Sequence, residues 1–152
     1  MLGLLFPRII DNTLRGRRLG YWLLVPVLAM KFAIALGSLL HPAGASQADG
    51  IDVSTYSPAA LREAAASTAL NGLLHLAIAL FCLLAMIRYR ALTPLVWLWL
   101  LAEFLARRLV LEAYPIDRVG GTSSGSIINL ALITMMTAGL ALSLWPRREA
   151  AG

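Results

Sequence analysis

Four apolar runs, at residues 21–40, 64–87, 92–114 and 127–145, leave this chain few ways to fold. Each is close to or above the roughly 20 residues that carry an α-helix across a hydrocarbon core about 30 Å thick. In lipid every backbone N–H and C=O must be satisfied within the segment, which excludes open strands and requires helices. Composition agrees, since 59% of the residues are hydrophobic, 14% are charged and the mean hydropathy is +0.76. The expected fold is therefore all-α: a polytopic membrane protein, an antiparallel four-transmembrane-helix bundle forming a single membrane domain over 1–152.

Arginine placement sets the expected orientation. Arg8, Arg15, Arg17 and Arg18 precede the first span, Arg88 and Arg90 separate the second from the third, and Arg147 and Arg148 follow the fourth. The opposite loops hold only Arg62 and Arg118, beside Asp49, Asp52, Glu63 and Asp117. The positive-inside rule then puts both termini in the cytoplasm, with Tyr21, Trp22, Tyr114 and Trp145 at headgroup level. Only Lys31 among the 13 basic residues is a lysine, and an Arg-, Ala- and Leu-rich chain of this kind suits a bacterial inner (cytoplasmic) membrane. The net charge of +5 is thus a topology signal, and no nucleic-acid partner is expected.

The segments follow. Residues 1–18 form a cytoplasmic interfacial segment whose Leu2, Leu5, Phe6, Ile9 and Ile10 suit a short surface helix or a flexible tail. The run at 21–40 is too long for a signal-peptide core of about 7–15 residues and contains Lys31, so it is read as a retained span. An irregular outer loop is expected over 41–57. Ser57 as N-cap and Pro58 at the first helical position then open a helix reaching 87, about 45 Å long and so projecting beyond the core. A second outer loop, 115–125, precedes the fourth span, and 146–152 form a cytoplasmic tail.

Ionisable residues inside the spans are the candidates for function, because each costs about 2.5–3.5 kcal/mol at a helix centre and demands compensation. They are Lys31, His75, Glu103, Arg107 and Arg108, with Asn71, Glu112 and Asn129 at neighbouring depths. The spacing predicts two i,i+4 ion pairs, Glu103–Arg107 and Arg108–Glu112, and puts Asn71 and His75 on one face. One positive charge is left over in this set, which an anion, a lipid headgroup or a partner's carboxylate would neutralise. The competing structural reading is a Lys31–Glu103 pair that fixes packing, with Arg107, Arg108 and Glu112 reaching to the outer headgroups.

Other chemistry finds little support. Cys82 is the sole cysteine, and His75 has only His41, in a loop, as a second histidine, so neither a metal nor a haem is expected. Gly121-Thr122-Ser123-Ser124-Gly125 matches the G-x-S-x-G pattern, yet that motif works on a turn between strand and helix. A faint echo between the two helical hairpins, Asn71 before Arg88 and Asn129 before Arg147, is weak evidence of duplication. Ala33 and Gly37, and Thr134, Ala138 and Ala141, form small-residue strips that permit close helix contact, within the bundle first and between subunits second.

Two functions follow as expectations. The first is a small membrane binding or assembly subunit with a buried polar cluster open to the outer side, meeting another membrane protein, a second copy of itself or an anionic lipid. The second is a small transporter or membrane-embedded enzyme acting on an anionic or lipid-linked substrate. No cofactor is expected beyond a bound phospholipid, and no motif names a reaction.

Overall fold

The computed structural model describes residues 2–51, 53–115 and 124–145, and these residues form an all-helical molecule without strands. The helices are α1 (Leu2–Leu5), α2 (Arg18–Trp22), α3 (Leu24–Leu40), α4 (Pro42–Ala48), α5 (Pro58–Arg88), α6 (Thr93–Ala113) and α7 (Ser124–Leu144). A single 3₁₀ turn at Arg90–Leu92 joins α5 to α6. Among the described residues three segments, Arg18–Leu40, Pro58–Arg88 and Ile127–Leu144, are long and apolar enough to cross a membrane. The fourth expected span, α6, has the length at 21 residues but carries Glu103 at its midpoint and Arg107, Arg108 and Glu112 beyond it.

Local chemistry explains the helix boundaries. Pro26 has no N–H for the Trp22 carbonyl and its ring crowds that carbonyl, so the first apolar run breaks at Leu23 between α2 and α3. Ser57 Oγ accepts the Ala60 N–H at 3.2 Å and Pro58 follows at the first helical position, which starts α5 as its sequence predicts. Pro94 plays a similar part at the start of α6.

The segment 41–57 differs from the irregular loop expected of it, because residues 42–48 form helix α4, folded back on α3 and α5. Ala-rich sequence after Pro42 favours a helix too short to show a period. It ends where Gly50 takes φ 81°, the Ile51 N–H reaching Ser46 O at 3.1 Å and the Gly50 N–H reaching Gln47 O at 2.9 Å. That Schellman-type end needs a residue without a Cβ and holds Asp49 immediately before it. Ser46 is buried, and its hydroxyl meets Thr68 Oγ1 of α5 at 3.1 Å.

Packing follows two seams, α3 along α5 and α6 along α7, with α2 also against α7. The core joins them: Leu24, Val27 and Leu28 of α3, Cys82 of α5, Val96, Trp97, Leu100 and Phe104 of α6, and Leu132 and Met136 of α7. Trp97 is its largest member and donates Nε1–H to Gly20 O at 2.9 Å, giving the buried indole the partner it requires. Gly139 lies under the Trp97 ring so closely that any Cβ would strike it. A Cβ on Gly72 would stand 2.8 Å from the Leu39 nitrogen, so the α3–α5 seam also depends on a glycine.

The small-residue strips read from the sequence are not these contacts. Ala33, Thr134, Ala138 and Ala141 are exposed, and Gly37 has open space where a Cβ would stand. Ala35, Gly72, Gly20 and Gly139 make the close approaches instead, because the bulky core residues set each helix's rotation. Outside, α5 exposes Leu70, Leu73, Leu74, Leu80, Phe81, Leu84 and Ile87, an apolar surface suited to lipid.

The segment before α2, expected as a short surface helix or a flexible tail, contains one helix of only four residues, α1. Asp11 accepts from Thr13 Oγ1 at 2.6 Å and from the Thr13 N–H at 3.1 Å, and these bonds hold its carboxyl below the ordinary aspartate range. The Ala91 N–H reaches Asp11 O at 3.3 Å and the Arg17 N–H reaches Leu142 O at 3.4 Å, which ties the segment to the ends of the long helices.

Candidate functional site: a buried Lys–Glu–His–Arg network

Three helices bring charged side chains to one point. Lys31 projects from the middle of α3, His75 from α5 and Glu103 from α6. Lys31 Nζ donates to Glu103 Oε2 at 2.6 Å, with Lys31 2% exposed and Glu103 18% exposed. His75 Nδ1 stands 2.9 Å from Glu103 Oε1, so the two carboxylate oxygens serve two different helices.

Arg107 sets the state of the imidazole. Its Nη1 lies 3.0 Å from His75 Nε2, and a guanidinium can only donate, so Nε2 is the acceptor and Nδ1 carries the proton. His75 is then the neutral Nδ1–H tautomer donating to Glu103. Lys31 Nζ, 3.2 Å from Nδ1, sits beside the ring as a second donor to the same carboxylate. The Phe104 ring centroid lies 5.0 Å from that ammonium and adds a cation–π contact. No buried side-chain polar atom among the described residues lacks a hydrogen-bond partner.

Charge closes in two stages along this chain. Lys31 and Glu103 neutralise each other where burial is deepest, and Arg107, about one-third exposed, faces Asp49 Oδ2 at 3.9 Å. Asp49 was read from the sequence only as a loop acid marking topology. The Asp-Gly pair after an Ala-rich stretch was the available signal for a helix end there, but not for which arginine it would face.

The eight candidates divide into three groups. Lys31, His75, Glu103 and Arg107 form the network. The expected Glu103–Arg107 ion pair is replaced, because Glu103 is taken by Lys31 and His75 and the imidazole stands between acid and guanidinium. Arg108 and Glu112 do form their i,i+4 pair at 3.2 Å, but on the outside of α6, 62% and 64% exposed. Asn71 is exposed although His75, one turn on, is buried, and Asn129 is half-buried on α7; neither joins the network. The Gly121–Ser123 part of the G-x-S-x-G pattern lies outside the described residues, as do Asp117, Arg118, Arg147 and Arg148 of the topology argument, while Ser124 and Gly125 open α7.

Chemically, the network is a carboxylate held by one ammonium and one imidazole N–H, with a guanidinium capping the far ring nitrogen. It can lock three helices together, and its partly exposed end is the Arg107 guanidinium facing Asp49. No protein-family model, no curated protein and no solved structure matches this chain. Fold and site together define an all-helical chain with three helices, among the described residues, long and apolar enough to cross a membrane, and with a buried ionic junction tying α3, α5 and α6.

Proposed function

We propose that this chain is a small multi-pass binding or assembly subunit of a bacterial inner membrane. In this reading α6 joins the three apolar spans in an antiparallel four-helix bundle, both termini are cytoplasmic, and the polar cluster lies toward the outer side. The arginine asymmetry of the sequence supports the orientation, and the engagement of α6 with the core through Trp97, Leu100 and Phe104 supports its membership.

The observation that carries the assembly role is the Arg108–Glu112 pair. By helical rise it lies roughly 22–28 Å along α6 from Thr93, in the outer part of a core about 30 Å thick. It is exposed there beside Leu105, Leu109 and Val110. Charges on a lipid-facing surface at that depth are unfavourable, and a partner helix or an anionic headgroup relieves the cost. The outward-facing strips Ala33–Gly37 and Thr134–Ala138–Ala141 add surfaces on which a second helix, of another protein or of a second copy, approaches closely.

Purification in mild detergent tests this reading. A mass above that of the monomer, or a stoichiometric companion protein, is expected, and Arg108→Ala/Glu112→Ala should release it while the helical spectrum persists. A folded monomer with nothing co-purifying rejects the assembly role.

A second reading has one observation of its own: a continuous run of ionisable groups leads from partly exposed Arg107 through His75 and Glu103 to Lys31. Such a run suits a transporter or membrane-embedded enzyme for an anionic or lipid-linked substrate, with Arg107 holding the anion. Full uptake or turnover by folded Glu103→Gln and Arg107→Ala variants removes that reading.

A further inference from the structure

A second cationic feature lies away from the buried network, at the end of the molecule where the first apolar span begins. Leu14, Arg18, Tyr21, Trp22 and Arg90 line an open cleft of about 300 Å³. Leu14, Arg18 and Trp22 follow one another at intervals of four, the last two on α2, and Arg90 comes across from the turn joining α5 to α6.

The cleft is built rather than incidental. Tyr21 is buried, its hydroxyl donating to Met86 O at 3.1 Å, and Arg90 lies over its ring with Cζ 5.4 Å from the centroid. Trp22 meets Tyr21 edge to face at 5.6 Å and remains largely exposed. The Arg90 guanidinium is thus placed by an aromatic face, and no carboxylate lies within ion-pair distance of it or of Arg18 among the described residues. Asp11, the described acid of the N-terminal segment, is occupied by Thr13 and Arg15.

Two guanidiniums with no carboxylate partner among the described residues, and an exposed indole, at the mouth of an apolar span match the boundary where lipid phosphates lie. Phe6, Ile9 and Ile10, exposed on the preceding segment, are the side chains a membrane surface would cover. We propose that the Arg18–Arg90 cleft binds the phosphodiester of an anionic phospholipid headgroup, with both guanidiniums on the phosphate oxygens and Trp22 and Leu14 against the glycerol and upper acyl chain. This site is independent of the Arg107 region and of the assembly role.

Native mass spectrometry of the full chain released from mild detergent, titrated separately with phosphatidylglycerol, phosphatidylcholine and inorganic phosphate, tests it. The wild-type protein should retain phosphatidylglycerol over phosphatidylcholine. Arg18→Gln/Arg90→Gln should weaken that retention by about fivefold for each arginine removed. Arg8→Gln/Arg88→Gln, which removes the same charge elsewhere, should leave most of it. Equal retention of the two lipids by the wild-type protein overturns the proposal without reference to any variant. So does an equal loss in the Arg8/Arg88 control, which would reduce the effect to general attraction. Binding of inorganic phosphate with no preference for phosphatidylglycerol rejects the lipid as its source.

Discussion

Two acids on α6, Glu103 and Glu112, pair with similar cations and do different work. Glu103 meets Lys31 at 2.6 Å where the ammonium is 2% exposed, whereas Glu112 meets Arg108 at 3.2 Å with both side chains more than half exposed. The first joins two helices far apart in sequence, and the second joins neighbouring turns of one helix. Burial makes the inner pair costly to form and costlier to break, since removing one partner strands the other charge. The outer pair keeps access to its surroundings, so its value to folding is small and its availability to a partner is large.

Removing one charge from the inner pair is the strongest way to break this comparison. Glu103→Ala leaves the Lys31 ammonium without its carboxylate and should destabilise the protein by about 3–5 kcal/mol, read as a lowered midpoint of thermal unfolding in detergent. The charge-free double variant Lys31→Met/Glu103→Leu should recover most of that loss. A single variant no less stable than the double would mean that the pair is not buried as described.

Glycine contacts sharpen the comparison, because they hold the helices together without charge. Gly139→Ala inserts a Cβ into the Trp97 ring between α6 and α7 and should cost about 1–3 kcal/mol. Gly37→Ala, facing open space, should be neutral or slightly stabilising. Equal unfolding midpoints for the two variants would break the packing account.

The smallest effect on folding belongs to the outer pair. Arg108→Ala should change stability by no more than about 1 kcal/mol. Its consequence should appear instead in co-purification or self-association, measured by light scattering in detergent. A loss of stability comparable to that of Glu103→Ala would place Arg108 in the core energetics and erase the distinction.

How legible these features were depended on the kind of signal. Ser57 and Pro58 announce the start of α5 through short-range chemistry, and the apolar runs announce long helices. Lys31 and Glu103 stood out as charges with no ordinary reason to lie in such runs. Short-range rules failed where a distant group intervened. Spacing alone favoured Glu103–Arg107, but His75, arriving from α5, takes both residues, one on each ring nitrogen. Gly37 lay in a recognisable motif and has open space where a Cβ would stand, while Gly72 and Gly139, which no motif marked, meet α3 and Trp97.

By itself, then, the sequence determined an all-helical chain with long apolar spans and a few charges that burial would force to find partners. That much follows from hydrophobicity and backbone hydrogen bonding, which act along the chain. Only the tertiary structure decided the partners: Lys31 and His75 on Glu103, Asp49 brought to Arg107 by a short helix and a glycine turn, and two arginines left facing an open cleft. Helix rotation and approach decide those contacts, and both are set by the shapes of core side chains from all four long helices at once.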